Sequence, residues 1–301
     1  MFSDQTLLEA VLAASVAFTH GWSTGSLIVS LTRSGMGARR SAAAVLLGGL
    51  LGTVIGGRGV THTAIFSEGA SRLDLTTVLL ITLLLLIAGS LTSTPVSYSH
   101  VLVMTMMGWV LRSGAPINPS GVAYLLMGWV AGPFIAASIS ISLYALVKQL
   151  FRRLDVLTVD AINRASIYVA SFALTYSVAG NNMGFLASLV SGWGWPVAHA
   201  VVAIFWTLGV LLPGKAMWDF IAERVARMPP QGIASAAVGS SLTMWIFLLL
   251  SVPTSVSHYV LASAALLPLL TPHLVGWRSV ARVVLWSAAT SLLGFTAAWL
   301  V

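Results

Sequence analysis

Ten apolar stretches, separated by short polar ones, run the length of the chain. They cover about 7–31, 41–57, 75–93, 96–111 and 120–147, then 165–190, 196–213, 231–251, 256–271 and 280–301. No Asp, Glu, Lys or Arg occurs from Ala10 to Thr32, Ser41 to Gly57, Leu75 to Leu111, Ser113 to Val147, Ala165 to Gly214, Met228 to Trp277 or Val283 to Val301. A helix needs about 20 apolar residues to cross a bilayer, so the pattern predicts an all-α integral membrane protein. Alternating ten-residue strands of the barrel kind are absent.

The pattern also repeats. Pro95-Val96-Ser97-Tyr98-Ser99-His100 recurs as Pro253-Thr254-Ser255-Val256-Ser257-His258, and Ser34-Gly35-Met36-Gly37 as Ser191-Gly192-Trp193-Gly194. Arg58 aligns with Lys215 and Trp129 with Trp286 at nearly the same offset. Two homologous membrane repeats are expected, 1–153 and 158–301, joined by the polar stretch Lys148–Asp155. Each has about five segments, with the third and fourth meeting at the Pro-x-Ser-x-Ser-His turn, as two spans or as a re-entrant hairpin. Either way each repeat crosses an odd number of times, so the second inserts upside down. Inverted-topology repeats with broken helices and helical hairpins are the usual build of secondary transporters.

Charge distribution gives an independent orientation. With the N-terminus outside, the inner loops hold Arg33, Arg39, Arg40, Lys148, Arg152, Arg153, Arg164, Lys215, Arg224, Arg227, Arg278 and Arg282, and the outer loops only Arg58, Arg72 and Arg112. That bias follows the positive-inside rule and puts both termini on the external face of the plasma (inner) membrane. The net charge of +7 therefore reads as membrane orientation, with no nucleic-acid partner. Met1–Leu8 carries Asp4 and no Lys or Arg, so the first apolar segment reads as a retained span.

Composition agrees: 57% of the 301 residues are hydrophobic and 8% charged, and mean hydropathy is +0.93. There is no cysteine, which excludes disulfides, thiol catalysis and Cys-bound metal. The remaining candidate chemistry is polar groups at membrane depth. Thr19-His20-Gly21-Trp22-Ser23-Thr24-Gly25-Ser26 interrupts the opening segment of the first repeat, and Ala179-Gly180-Asn181-Asn182-Met183-Gly184 that of the second. The offset sets Ser23 opposite Asn181 and Thr24 opposite Asn182. At the two hairpin turns, Ser97, Ser99 and His100 face Thr254, Ser255, Ser257 and His258. Proline suits the first turn of a helix, so each turn is expected to start a half-helix whose free N–H groups and flanking hydroxyls suit an anion. Packing glue at the breaks and plain N-capping at the turns are the competing readings. His62, His273, Glu68, Asp74, Asp219 and Glu223 read as solvated loop residues, His199 as packing, Val60–Leu73 as an amphipathic surface stretch, and most tryptophans as an interfacial belt. Metal-ligand spacing is absent.

At these residues the chain resembles the inorganic phosphate transporter (PiT) family, near its sulfate-permease branch. Pro95–His100 and Pro253–His258 match the family's hairpin turn. Gly56–Thr63, Gly214-Lys215 and Trp129-Val130-Ala131-Gly132-Pro133 are similar to other family stretches. The opening motif departs from the family's Gly-Ala-Asn-Asp-Val-Ala-Asn. Its Asn-Asp corresponds to Ser23-Thr24 and to Asn181-Asn182, and its later Asn to Leu27 and Phe185. The resemblance implies secondary transport of phosphate or sulfate by a homodimer in a lipid bilayer. The expected substrate lining is Ser23, Thr24, Asn181, Asn182, Ser97, Ser99, Thr254, Ser255 and Ser257.

Such a lining offers donors and no carboxylate acceptor, which suits a fully deprotonated anion such as sulfate, although the amide oxygens of Asn181 and Asn182 remain available to phosphate's proton. No cofactor or metal is expected. The coupling ion is expected to be H+ rather than Na+, which lacks an anionic ligand here, with His20, His100 and His258 as the candidates. Two other readings are a transport-inactive structural or regulatory subunit and a membrane-embedded enzyme using His100 and His258; the enzyme reading lacks an acidic partner, so no enzymatic activity is expected.

Overall fold

The computed structural model describes residues 4–61, 65–66, 74–92, 94–190, 194–212, 219–270 and 275–301. They form an all-α membrane fold. The first half holds α1 (Asp4–His20), α2 (Ser26–Met36), α3 (Ala38–Val54), α4 (Leu75–Leu91), α5 (Tyr98–Ser113) and α6 (Pro119–Leu150). The second holds α7 (Val156–Val178), α8 (Gly184–Leu189), α9 (Trp195–Leu211), α10 (Pro230–Leu249), α11 (Val256–Leu266) and α12 (Trp277–Leu300). The stretches Ala38–Gly59, Pro119–Arg153, Pro230–Leu249 and Trp277–Leu300 are long and apolar enough to cross a membrane. The exterior is apolar, with Leu84, Val130 and Leu285 all more than half exposed, while many Ser and Thr side chains are buried. That inversion of the soluble pattern is what lipid as solvent requires.

Helix starts follow local chemistry. Asn118 caps α6 by accepting from the N–H groups of Ser120 and Gly121, with Pro119 at the first helical position. Asp155 caps α7 through Thr158, and that bond holds its exposed carboxyl below the usual carboxylate range.

The halves interlock. The opening helix of each packs on the second-segment helix of the other, α1 on α9 and α7 on α3. The helix after each hairpin turn packs on the last helix of the other half, α5 on α12 and α11 on α6. At the α1–α9 crossing the backbones touch. A Cβ on Gly21 would overlap the Trp206 carbonyl, and one on Gly209 would overlap the Phe18 carbonyl. Backbone cannot yield as a side-chain tip can, so Gly209→Ala is expected to cost about 1–3 kcal/mol. Thermal unfolding of the purified variant in detergent checks this; an unchanged melting temperature would contradict the close crossing.

Several expectations change. The polar stretch Lys148–Asp155 is mostly helical, because α6 and a short 3-10 turn (Phe151–Arg153) carry helix to Arg153 and α7 begins at Val156. Arg164 is consequently helical, paired with Asp160 one turn earlier. Asp219 is not solvated: it is buried and ion-paired with Arg33 at the end of α2. Arg33 is partly exposed and loses its partner when the carboxylate is removed, so Asp219→Ala is expected to cost about 1–3 kcal/mol in the same unfolding assay. Within 60–73, Val60, Ile65 and Phe66 are buried, and Phe66 pairs with Ile117 instead of lying on a membrane surface. Trp206 departs from the interfacial belt by being wholly buried in mid-helix. His62, Glu68, Arg72, Ser93, Gly214, Lys215, His273 and the Ser191-Gly192-Trp193 repeat partner lie outside the described residues.

Candidate functional site

Both hairpin turns are built alike. Residues 94–97 and 252–255 run without helix, and each following helix starts at a serine cap. Ser97 Oγ accepts from the His100 N–H at 3.3 Å and Ser255 Oγ from the His258 N–H at 3.4 Å. The helices thus begin three residues after Pro95 and Pro253, not at the prolines. Both signals start helices, and here the serine cap wins while proline stiffens the approach. A capping hydroxyl uses a lone pair and keeps its own proton to give. Ser97 pairs with Ser99 at 3.3 Å and Ser255 with Ser257 at 3.0 Å. The N–H groups of Tyr98 and Ser99, and of Val256 and Ser257, are the first of their helices and have no acceptor within them. Val256–Leu266 has 11 residues and reaches about 16 Å at 1.5 Å per residue, about half the hydrocarbon thickness.

The two interruptions take the form of π turns, Gly21–Gly25 and Ala179–Met183, inside otherwise continuous helix. The Ser26 N–H reaches back to the Gly21 carbonyl and that of Gly184 to Ala179, five residues in each case. A π turn adds one residue and loosens the carbonyl ladder, a feature often found at functional sites. Ser23, Thr24, Asn181 and Asn182 are all buried in these turns.

Each predicted residue has a distinct setting. Asn181 clamps the second hairpin: its Nδ2 donates to the Val252 carbonyl at 2.9 Å and its Oδ1 accepts from the Thr254 N–H at 3.3 Å. Thr254 Oγ1 points to the Met244 sulfur. Asn182 lies 3.4 Å from His20 Nε2, and its Oδ1 is buried without a partner. Ser23 and Thr24 make no hydrogen bond to either hairpin among the described residues. His100 and His258, from different halves, come together with ring centroids 4.7 Å apart, and His100 also rests on Trp129 at 4.1 Å. The Nε2 atoms of both histidines are buried and unpartnered. Asp219 is the sole buried carboxylate among the described residues and is committed to Arg33. No group of three metal-ligating side chains is found among them. His199 turns out to be a packing residue with polar ends, set against the carbonyls of Trp195 and Gly57.

Three contributors escape sequence reasoning. Trp206 donates to His20 Nδ1 at 2.8 Å. The Tyr98 hydroxyl donates to the Asn182 carbonyl, and its ring meets His20 edge-on at 4.6 Å. Ser287 on α12 accepts from the Ser97 N–H. Only Trp206 left a signal, as an indole in the middle of an apolar span.

Among solved structures, the chain is similar to one described as "The sodium-dependent phosphate transporter", with a TM-score of 0.82, 13% identity, and coverage of 99% of this chain and 98% of that one. The chain has that transporter's fold. No family model matches the sequence, and no curated protein matches it.

Proposed function

We propose that the chain is a secondary transporter of a tetrahedral inorganic oxyanion, phosphate or sulfate, working by alternating access in a plasma (inner) membrane. The observation that carries this reading is the pair of serine-capped helix starts, matched at an offset of 158, buried, and lined with donors and no carboxylate. Helix N-termini favour anions through free N–H groups and the helix dipole. The similar structure's description as a phosphate transporter supports the same class of substrate.

Inversion of the halves is supported by two reciprocal contacts. The α2–α3 turn meets the stretch after α9 through Arg33–Asp219 and through the Ile221 N–H on Ser30. The α8–α9 turn meets the stretch after α3, with Arg58 over the Trp195 ring and His199 beside the Gly57 carbonyl. Because α3 separates its own turn from its own following stretch, these contacts set corresponding stretches at opposite ends. With the distribution of Arg and Lys, this supports termini on the external face.

Proton coupling is the second part of the proposal. The similar structure is described as sodium-dependent, but here the buried carboxylate is absorbed by Arg33, and sodium favours hard, anionic oxygen ligands. The joined His100–His258 pair offers a place for a proton instead. Around it, the ring partners are Trp129 and the other histidine. Charged residues on the packed elements stand at helix ends or in turns: Lys148 on α6, Arg278 and Arg282 on α12, Arg33 on α2, and Asp219, Glu223 and Arg224 at 219–225.

Uptake of radiolabelled phosphate and sulfate into proteoliposomes tests the function, and sulfate is expected to compete measurably with phosphate. Tight phosphate binding that ignores a large excess of sulfate would contradict a donor-rich site.

A further inference from the structure

We infer that Trp206 and His20 form a fixed relay that turns the Asn182 amide so that its NH2 faces the oxyanion, making Trp206 a positioning residue for anion selectivity. The inference rests on the oxyanion site proposed above.

The chain of reasoning starts at the indole, which has a donor and no acceptor. Trp206 Nε1 lies 2.8 Å from His20 Nδ1, so Nδ1 presents its lone pair. A neutral imidazole then carries its proton on Nε2. Nε2 lies 3.4 Å from the Nδ2 end of the Asn182 amide, while Oδ1 of that amide is buried and unpartnered. Two donors would face each other and an acceptor would be stranded, the arrangement that buried polar groups avoid. A half-turn of the amide resolves both: Oδ1 accepts from His20 Nε2–H, and both NH2 hydrogens are released. Amide orientation is decided by such networks.

The surroundings hold the relay still. Trp206 is wholly buried. Its ring fills a slot in which a Cβ on Gly25 or Gly49 would press on the indole, so the ring has no room to swing away. On its other side His20 is braced by Tyr98, whose hydroxyl holds the Asn182 backbone.

The consequence is chemical. With Asn182 Oδ1 accepting from His20 and Asn181 Oδ1 accepting from the Thr254 N–H, each amide oxygen is already engaged and turned to a protein donor, while the freed Asn182 NH2 is turned to the anion. Hydrogen phosphate brings a proton that seeks an acceptor and sulfate does not. The relay therefore tilts the site toward a fully deprotonated oxyanion. It also reassigns His20: protonating Nδ1 would break the indole bond, so His20 positions and does not carry a coupling proton.

The test has two readouts. In protein labelled with 15N-histidine, with the His20 signals assigned by His20→Gln, NMR is expected to show His20 protonated at Nε2; a ring protonated at Nδ1 overturns the relay. This measurement reads the unmodified protein and stands even where the Trp206 or Asn182 variant fails to fold or the protein moves no anion. In equilibrium binding of labelled sulfate displaced by phosphate, Trp206→Phe keeps the ring bulk and removes the donor. The preference for sulfate is expected to fall by about tenfold, and Asn182→Asp is expected to reverse it toward phosphate. A preference within twofold of the unmodified protein in both variants overturns the inference. Binding of neither anion by the unmodified protein, with His20 in the Nε2 form, would overturn the function and leave the relay's geometry intact.

Discussion

Asn182→Leu is expected to reduce oxyanion uptake at least a hundredfold while leaving insertion and thermal stability close to those of the unmodified protein. The side chains are similar in size, and the Asn182 amide makes one polar contact, to His20, with its other end unpartnered. The fold loses only this contact, which leaves one His20 nitrogen without a partner at a cost of about 1 kcal/mol. A hydrogen bond to a charged group is worth about 1.5–3 kcal/mol, and an anion entering this variant would also face apolar surface in place of a donor. Asn181→Leu should behave differently. Asn181 spends both ends of its amide on the Val252–Thr254 turn, so its loss should lower the melting temperature as well as uptake. Uptake by Asn182→Leu at the unmodified rate would remove Asn182 from the site.

The double variant His100→Gln with His258→Gln is expected to abolish stimulation of uptake by an inward proton gradient. An anion must enter against an inside-negative potential, at about 2.3 kcal/mol per charge per 100 mV, so accumulation requires a moving positive charge. Two imidazoles 4.7 Å apart disfavour a second positive charge beside the first, so the pair is suited to holding one proton. Uptake should therefore rise as the outside is made more acidic than the inside, and each single variant should retain part of that response because one histidine remains. Uptake measured under an imposed pH gradient and, separately, a sodium gradient decides the matter. Stimulation by sodium alone, with both single variants unaffected, would overturn the assignment.

What the sequence disclosed was mostly what repeats. Ser97, Ser99 and His100 match Ser255, Ser257 and His258 at one offset, and their structures match as well, down to the capping bond. The precise helix start was not legible, because proline and serine each signal one and only packing decides between them. Pairings between distant residues were also invisible. Arg33 and Asp219 look like two loop charges until the halves interlock. That the two hairpin turns face each other follows from the inverted repeats, but the direct contact of the His100 and His258 rings does not, since a linear pattern carries no side-chain orientation. Trp206 stands in the middle of an apolar span, but its burial against Gly25 and Gly49 depends on α9 crossing the first half, which no linear pattern shows.

The most direct measurement is uptake of labelled sulfate and phosphate by purified protein in proteoliposomes, driven by a proton gradient, with Asn182→Leu as the matched control. The donor-rich site predicts saturable uptake of both anions, each competing with the other, lost in the control. No gradient-driven uptake of either anion by well-folded protein, or equal uptake by the control, would contradict it.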